Sequence, residues 1–370
     1  MNRELALESR IDPSRRALTP STPFISVIVP VRNEEAFIGT TLKQLFNQRY
    51  DPARFEVIVA DGRSTDATRE VVAVWCKHHS NLLLIDNPKV WSSAGRNAAI
   101  RIAQGEIILL VDGHCEIKDR NYLDEVAAAF ARSGANCLGR PQPLDVTGAS
   151  RLQRAIAAAR SSRLGHHPAS HIYSDGEGFV PPQSVAIAYH RSVFETVGLF
   201  DESFDACEDV EFNHRVDHAG LRCFFTSRVQ LRYIPRSSLK GLFRQMVRYG
   251  RGRIRLLRKH PDTFSAAGFL PAAFLAGVLL GPLVSLLMPP LALLYASVLG
   301  IYGAVLVWTS IQLALQQKQL ALLPLLPLVF LAIHFGAGTG LLWETFAGRQ
   351  QRREAPDVLL GTATPVRRAA

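Results

Sequence analysis

Charged residues are missing from a long stretch near the carboxyl end of this 370-residue chain. Residues 269–315 contain none, and this length is about twice the ~20 apolar residues that one membrane-spanning helix needs. Pro289 and Pro290 interrupt the stretch, and a further apolar run at residues 320–343 has His334 as its one titratable group. Buried core helices of a soluble protein are the alternative, but both runs are too long and too free of charge. We therefore predict about three membrane helices within residues 268–345, at 269–288, 291–314 and 320–343.

Cysteine pairs with metal-binding spacing are also missing, as is an apolar leader. The five cysteines are scattered and show no CxxC spacing, so the sequence indicates neither a disulfide framework nor a zinc knuckle. His214 and His218 are interpreted as ordinary surface or core residues. Residues 1–22 are polar, without an apolar central region, which argues against a secretory signal. We expect a flexible segment at residues 1–22, a basic flexible tail at 346–370, and a domain between them that stays in the cytoplasm.

Acidic residues are missing from residues 232–259, which carry ten Lys or Arg directly before the first apolar run. Such a block could bind nucleic acid, but its position fits the positive-inside rule and attraction to anionic headgroups better. We therefore predict anionic lipids of the inner leaflet as partners and no nucleic acid. Arg236, Lys240, Arg244 and Arg248 recur every four residues, so residues 236–262 are predicted to form a basic amphipathic helix on the membrane surface. A solvated charged face is the alternative.

Short apolar runs alternate with helical patterns across residues 23–235. The runs FISVIVPV, FEVIVADG, NLLLIDN and EIILLVDG have the composition of strands, and a helical pattern follows each of them. This alternation predicts an α/β domain whose mostly parallel sheet has helices on both faces. Ser64 and Thr65 are predicted to cap the second helix. The later segment LGHHPASHIYSDGEGFVPPQS is predicted to be a long lid or binding loop.

Polar residues gather where the predicted strands end. They are Asn33 and Glu34 after the first strand, Asp61 after the second, and Asp112 and His114 after the fourth. Ligands of open α/β sheets bind beyond the carboxyl ends of the strands, and the sequence lacks the GxGxxG of a dinucleotide site. A turn or cap role is the alternative for each aspartate alone. Three polar strand ends together favour a nucleotide whose phosphates need a cation.

Five motifs in order carry a resemblance to a known family. VIVPVRNEE, VIVADGRSTDATRE, SAGRNAAIRIAQGEIILLVDGH, GLFDESFDACEDVEFNHR and QMVRYGRGR resemble the motifs of family 2 glycosyltransferases, which have the GT-A fold. The similarity covers residues 24–253. Among subgroups the chain most resembles the membrane-anchored glucosyltransferases of succinoglycan-type exopolysaccharide synthesis, which share the ADG-x-STD spacing and an aspartate-x-histidine in place of aspartate-x-aspartate.

The resemblance implies a role for each matching residue. Asp209 would be the catalytic base with Glu208 beside it, although the dipole of a helix N-terminus also favours acids there. Asp112 and His114 would hold a divalent cation, Mn²⁺ or Mg²⁺, and the imidazole ligand tilts the prediction toward Mn²⁺. The residues implied to bind the nucleotide sugar are Pro30, Asn33, Glu34, Asp61, Gly62, Arg96 and Asp112. The residues implied to contact the acceptor or the diphosphate are Gln245, Arg248 and Tyr249, where tyrosine replaces the tryptophan of the family's Q-x-x-R-W pattern.

The implied function is transfer of a sugar with inversion. The donor would be UDP-glucose and the acceptor an undecaprenyl-diphosphate-linked saccharide, at the bacterial inner membrane and with the catalytic domain in the cytoplasm. Other glycan-assembly proteins stay open as partners. A processive polysaccharide synthase is the first alternative, although three spans are few for a polymer channel. An inactive membrane-anchored protein that binds nucleotide sugars is the second.

The three predicted spans conflict with the charge of the tail. An odd number of spans places Arg349, Arg352 and Arg353 outside the cell, against the positive-inside rule. Either one apolar segment does not cross the membrane or the rule is overridden.

Overall fold

The computed structural model describes residues 22–166 and 171–347. Of the ends expected to be flexible (1–22 and 346–370), residues 1–21 and 348–370 lie outside the described residues, whereas residues 346–347 belong to a helix. Residues 167–170 of the predicted binding loop also lie outside the described residues. The strands are β1 Ile25–Val31, β2 Phe55–Asp61, β3 Leu82–Asp86, β4 Ile107–Leu110, β5 Cys115–Glu116, β6 Cys137–Gly139, β7 Glu177–Val180, β8 Ala186–His190, β9 Cys223–Thr226 and β10 Arg232–Tyr233. The helices are α1 Ile38–Phe46, α2 Thr68–Cys76, α3 Ser92–Ile102, α4 Tyr122–Ser133, α5 Arg151–Ser161, α6 Arg191–Val197, α7 Glu208–His218, α8 Leu239–Lys259, α9 Ala266–Leu287, α10 Pro290–Gln316 and α11 Leu326–Ala347.

Eight strands form one sheet in the order β3-β2-β1-β4-β8-β6-β9-β7. Six of them share a direction, while β8 and β7 run against it. The chain winds outward from β1 to one side through β2 and β3, and then to the other side through β4. This reversal opens a crevice at the carboxyl ends of β1 and β4, where α/β proteins bind ligands.

Helices cover both faces of the sheet, as a strand buried along its whole length requires. All seven residues of β2 are buried. On one face, Val27 of β1 packs in a core with α1 and α4. On the other face, Ile28 packs in a core with α3 and α7. The predicted fold class, a mostly parallel α/β sheet followed by apolar helices, is confirmed.

The predicted cap of the second helix was wrong. Helix α2 begins at Thr68 and has no side-chain cap. Ser64 instead accepts a hydrogen bond from the Asn33 amide at 2.9 Å, and the Thr65 amide donates to Asn33 Oδ1 at 2.8 Å, so these residues join two strand-end loops. The predicted binding loop contains strand β7, which pairs with β9 at the sheet edge.

Three C-terminal helices are long and apolar enough to cross a membrane. The helices α9 and α10 begin and end within a few residues of the predicted spans. The third helix, α11, begins at Leu326 rather than residue 320 because residues 320–322 form a separate short turn. It also extends past Glu344, an acidic residue outside the predicted span.

The basic segment forms one helix, α8, which starts after the Ser238 cap. The segment itself contains no acidic residue, but acids from distant segments of the chain contact it. Arg251 lies 3.0 Å from Glu344 of α11, and Lys259 lies 2.6 Å from Asp201. The carboxyl half of α8 is therefore held by acids from distant segments, while Lys240 and Arg244 near its start are exposed.

Candidate active site

A cleft of about 790 Å³ opens at the carboxyl ends of β1 and β4, in the crevice that the strand order creates. Helix α8 closes one side of it. The predicted site residues that line the cleft are Pro30, Glu34, Arg96, Asp112, His114, Glu208, Asp209, Gln245, Arg248 and Tyr249. The fold thus brings residues from four separate motifs around one space.

The other three predicted residues do not line this cleft, but each lies next to a residue that does. The Asp61 carboxylate is buried and accepts a hydrogen bond from Arg69 at 2.8 Å through Oδ2, while its buried Oδ1 has no partner among the described residues. Asn33 adopts a positive φ of 56° and bonds to Thr65. A Cβ at Gly62 would lie 2.7 Å from the Val90 carbonyl oxygen, so only glycine lets these segments approach each other.

Asp112 and His114 follow β4 with a single residue between them, and both face the cleft. His114 Nδ1 lies 2.9 Å from Glu34 Oε1. Carboxylates that bond one ring nitrogen of a histidine commonly orient the other nitrogen toward a metal. Arg96 Nη2 lies 3.7 Å from Asp112 Oδ1, a long contact that leaves the carboxylate available. These donors fit a divalent cation.

The charges of this group shift the protonation of its members. Burial would raise the pKa of Asp112, but the Arg96 and His114 charges outweigh it, so the pKa is lowered from its ordinary value. Burial would lower the pKa of His114, but the hydrogen bond to Glu34 and the Asp112 charge outweigh it and raise the pKa. Asp112 is therefore an anion at neutral pH, and protons compete with any metal for His114.

Glu208 and Asp209 begin helix α7, directly after Cys207, whose φ is 62°. Glu208 is buried and accepts hydrogen bonds from Arg96 at 3.0 Å and from Ser92 at 2.7 Å. The Asp209 carboxylate accepts only the neighbouring Val210 amide, at 2.9 Å, among the bonds of the described residues. Its side chain is accessible from the cleft. The two adjacent acids therefore have different surroundings.

The pKa of Asp209 is raised from its ordinary value. Desolvation by the surrounding protein is the main cause, and the adjacent Glu208 charge adds to it, while Arg96 opposes them. A helix dipole by itself would have the opposite effect, since the positive N-terminus stabilises a carboxylate anion. The rise in the pKa of Asp209 therefore does not come from the dipole of α7.

The three residues of α8 line the cleft from the side opposite the sheet. Gln245 Nε2 donates to the Tyr249 hydroxyl at 3.1 Å, and Arg248 donates to the Asp205 carbonyl oxygen at 2.6 Å. The second bond ties α8 to the loop that precedes Glu208 and Asp209. The guanidinium of Arg160 lies 5.8 Å from the centroid of the Tyr249 ring.

Sequence reasoning missed several residues of the cleft. Arg140 is 1% exposed, and its guanidinium lies 5.8 Å from the centroid of the Tyr233 ring. Burial would lower its pKa, but the surrounding hydroxyl and thiol groups outweigh it and raise the pKa. Arg140 follows β6, which has only three residues. A strand that short gives no periodic signal, so nothing in the sequence marks Arg140 as a strand-end residue.

Comparison with known proteins adds two findings. Residues 26–198 match the model of the family described as glycosyl transferase family 2. The chain is 30% identical, over 77% of its length and 85% of the relative's, to the succinoglycan biosynthesis protein ExoA of Rhizobium meliloti (strain 1021). The chain belongs to the family 2 glycosyltransferases. The suspected family is therefore confirmed, and the protein is an enzyme that forms glycosidic bonds.

One further relative and one solved structure are similar to this glycosyltransferase. It is 27% identical, over 68% of the chain and 79% of the relative, to a protein of Methanococcus voltae. That relative is named dolichyl N-acetyl-alpha-D-glucosaminyl phosphate 3-beta-D-2,3-diacetamido-2,3-dideoxy-beta-D-glucuronosyltransferase. A mannosyltransferase of Pyrobaculum calidifontis, solved with GDP-Man and Mn²⁺, has a TM-score of 0.54 and 20% identity over 88% of both chains. This second likeness concerns the fold, which it places among GT-A enzymes.

Proposed function

We propose that this family 2 glycosyltransferase transfers glucose from UDP-glucose onto a lipid-linked saccharide, with inversion at the anomeric carbon. Asp209 acts as the base that removes the proton of the acceptor hydroxyl. The contrast between Asp209 and Glu208 carries the proposal. Arg96 and Ser92 hold the Glu208 carboxylate, whereas no cation of the described residues lies within salt-bridge distance of Asp209.

The raised pKa of Asp209 suits the work of a base. A carboxylate with a higher pKa binds a proton more strongly, and a positioned base contributes typically ~10²–10⁴-fold to a rate. Asp209 and the Asp112–His114 pair line one cleft. A sugar bound between them would meet the acceptor hydroxyl on one side and lose its diphosphate on the other, which is the arrangement that inversion needs.

The residues at the end of β4 support a divalent cation. Asp112 and His114 would hold it, and Glu34 would fix the orientation of the imidazole through the 2.9 Å bond. When bound, such an ion would neutralise the charge that develops on the leaving diphosphate. The mixture of one imidazole and one carboxylate favours Mn²⁺ over Mg²⁺, which prefers oxygen ligands.

The residues near β2 support a nucleoside in the donor. A buried carboxylate oxygen without a partner is costly, and Asp61 Oδ1 is in that state. A hydrogen bond from the uracil or ribose of UDP would satisfy it. Asn33 and Gly62 lie in the same group of loops. Arg96 lies between Asp112, one of the two proposed metal ligands, and Glu208. At this position its guanidinium can meet diphosphate oxygens.

The C-terminal half of the protein supports a lipid-linked acceptor at a membrane. Gln245, Arg248 and Tyr249 face the cleft from α8, and three candidate membrane helices follow. The name of the Methanococcus relative specifies a dolichyl-linked phosphate sugar. We propose an undecaprenyl-diphosphate-linked saccharide as acceptor, at the bacterial plasma membrane with the catalytic domain in the cytoplasm. Exposed Lys240 and Arg244 would contact anionic headgroups.

A transfer assay tests this proposal. Membranes that contain the full chain are supplied with a radiolabelled UDP-sugar, extracted lipid-linked acceptor and Mn²⁺, and the lipid fraction is separated by size. We expect label from UDP-glucose in one lipid product that is one sugar larger than the acceptor. Label from another UDP-sugar alone would overturn the donor assignment.

The same assay separates the alternatives. A ladder of labelled products would indicate a processive synthase. Binding of UDP-glucose without transfer to any acceptor fraction would indicate an inactive binding protein, and the proposal would then be wrong.

A further inference from the structure

The third apolar helix differs from the first two in how it is surrounded. In their most apolar segments, 6% of the residues of α9 and of α10 are buried by protein, against 44% for α11. We propose that α9 and α10 form a membrane-spanning hairpin and that α11 lies against the catalytic domain without crossing the bilayer. This arrangement goes beyond the proposed reaction and does not depend on it.

The beginning of α11 contacts the catalytic domain. The turn that precedes it carries Leu322, which is 1% exposed and lies in one apolar cluster with Ile156 and Ala158 of α5. Leu326, the first residue of α11, is fully buried in the same cluster. This end of the helix therefore sits on the catalytic domain.

The middle of α11 makes a polar contact with the same domain. His334 Nε2 lies 3.0 Å from the carbonyl oxygen of Leu164, in the segment after α5. The other ring nitrogen lies 2.9 Å from the Tyr302 hydroxyl of α10. A hydrogen bond to the catalytic domain at this position requires the centre of α11 to lie at its surface.

The end of α11 is held by charge. Glu344 is 3% exposed, and its carboxylate lies 3.0 Å from Arg251 and 3.1 Å from Arg255 of α8. Arg255 also pairs with Asp205, in the loop before the catalytic pair. A spanning helix must place its ends on opposite sides of a hydrocarbon core of about 30 Å. Since the beginning and the middle of α11 contact the catalytic domain and its end is held by α8, this helix does not do so.

Helix α8 gives a second, independent argument. The contacts that join it to α11 advance together along both helices: Phe243–Gly336, Val247–Gly340 and Arg251–Glu344. The two helices therefore run side by side in the same direction. Helix α8 contains eight Lys or Arg and no acid, and such a segment cannot enter the hydrocarbon core. Because α11 packs alongside α8 from Phe243 to Arg251, α11 lies along the membrane surface together with α8.

The helices α9 and α10 have the features of a spanning hairpin. The Tyr295 hydroxyl donates to the Val278 carbonyl oxygen at 3.3 Å, which joins the two helices near their turn. Beyond these contacts they expose large apolar side chains, with Leu286 at 78% and Leu293 at 77%. Helix α9 starts just after α8, and Leu313 near the end of α10 is buried in the cluster with α5. Both open ends of the hairpin thus lie at the catalytic domain.

Two spans place the C-terminus on the same side of the membrane as the active site. Arg349, Arg352 and Arg353 then agree with the positive-inside rule, and the conflict in the sequence disappears. The exposed side chains of α11, among them Trp343 at 61%, would face the interfacial region, where tryptophan is favoured.

Cysteine accessibility in cells tests the arrangement. Three full-length variants carry one added cysteine each: Ala370→Cys at the C-terminus, Pro289→Cys at the hairpin turn and Glu195→Cys on the exposed face of α6. Each is treated with a membrane-impermeant maleimide in intact spheroplasts and again after permeabilisation. The wild-type chain, with its own five cysteines, gives the background.

We expect Ala370→Cys and Glu195→Cys to label together, only after permeabilisation, and Pro289→Cys to label in intact spheroplasts. Labelling of Ala370→Cys on the same side as Pro289→Cys would overturn the proposal in favour of three spans. Equal behaviour of all three variants would overturn the hairpin. Since the readout is accessibility, loss of transferase activity would not affect either result.

A separate observation points to a second cation site. Ligand atoms of His214, His260 and Asp262 lie within 4.8 Å of one another, and His218 Nε2 lies 3.0 Å from the same Asp262 oxygen. His214 is 3% exposed, and its Nδ1 is buried without a partner among the described residues. The two imidazoles and one carboxylate of His214, His260 and Asp262, with His218 beside them, form a donor set that suits zinc and related ions.

We infer that this cluster binds a zinc-class divalent cation. His214 and His218 are four residues apart on α7 and so share one helical face, while His260 and Asp262 come from the turn between α8 and α9. A bound ion would connect the end of α7, whose beginning carries the catalytic pair, to the start of the membrane hairpin. This role is structural and distinct from the cation at Asp112.

Binding of Co²⁺ to the purified full-length protein tests this site, because tetrahedral Co²⁺ absorbs visible light. The Asp112→Asn background suppresses binding in the cleft. We expect the absorption to persist in that background, to be lost on adding His260→Ala or Asp262→Asn, and to survive the control His78→Ala. Absorption that is absent from the background, or unchanged by both cluster substitutions, would overturn the inference.

Discussion

Carboxylates in the cleft and in the α8–α11 interface differ in how far cations neutralise them. Arg251, Arg255 and Arg258 all lie within 3.5 Å of the Glu344 carboxylate. In the cleft, Arg96 pairs with Glu208 at 3.0 Å but stays 3.7 Å from Asp112, and Asp209 has no such partner among the described residues. The interface satisfies its charges within the chain, whereas the cleft leaves charge for a ligand to meet.

The largest effect on the transfer rate is expected at Asp209, which has no cationic partner among the described residues. Asp209→Asn should lower the transfer rate by about 10²–10⁴-fold, since the amide cannot take the proton of the acceptor. The melting temperature should stay the same or rise because repulsion with Glu208 is removed. The matched control Asp124→Asn, at an exposed position of α4, should keep both values. Transfer by Asp209→Asn at the wild-type rate would remove the assigned base.

The next largest effect, on stability, is expected at Glu344, whose carboxylate contacts three arginines. Glu344→Gln removes the anion that Arg251, Arg255 and Arg258 share, and it should lower the free energy of unfolding by about 3 kcal/mol. Thermal unfolding in detergent micelles measures this change, with Asp124→Asn again as control. Transfer at temperatures well below the melting point should change much less than in Asp209→Asn. An unchanged melting temperature would show that the interface does not depend on this cluster.

A smaller effect, on the Mn²⁺ requirement, is expected at Glu34, which bonds to the proposed metal ligand His114. Glu34→Gln weakens the hydrogen bond that orients His114 and should raise the Mn²⁺ concentration needed for activity by about 10–100-fold. His114→Ala removes the proposed ligand itself and should have a larger effect. Activity titrated with Mn²⁺ and with Mg²⁺ gives both values, and an unchanged Mn²⁺ requirement in His114→Ala would contradict the assignment.

The smallest effect is a shift along the pH axis. The base works deprotonated, so kcat/KM should fall as the pH drops through the pKa of Asp209, which is raised above the ordinary value of an aspartate. Glu208→Gln removes the like charge that contributes to this rise, and the acid limb should move to lower pH. The pH dependence of kcat/KM is compared with that of Glu195→Gln. A limb that does not move would indicate a different titrating group.

The sequence predicted the parts of the site that depend on strand ends. Asp112 and His114 follow β4, whose four residues are all buried and apolar, so the position of the polar pair could be inferred from the pattern alone. Asp61 ends β2 for the same reason. The roles of Asp209 and the α8 residues came only through the family resemblance, since a helix start with two acids is ambiguous.

The sequence could not predict contacts between distant segments. Glu344 lies 93 positions from Arg251, and no local pattern relates a basic helix to an acid at the end of an apolar one. Arg140 was missed because β6 is too short to produce a period. Ser64 and Thr65 looked like a cap because their side chains suit that role, but Asn33 competes for the same hydrogen bonds.

Asp209 is proposed to remove the proton of the acceptor, whereas Arg96 and Ser92 hold the carboxylate of its neighbour Glu208. The most direct measurement is the single-turnover rate of transfer by Asp209→Asn at saturating UDP-glucose, with donor binding measured in the same preparation. We expect donor binding close to that of the wild-type enzyme and transfer slower by about 10²–10⁴-fold. Single-turnover transfer at the wild-type rate, with the donor bound, would contradict it.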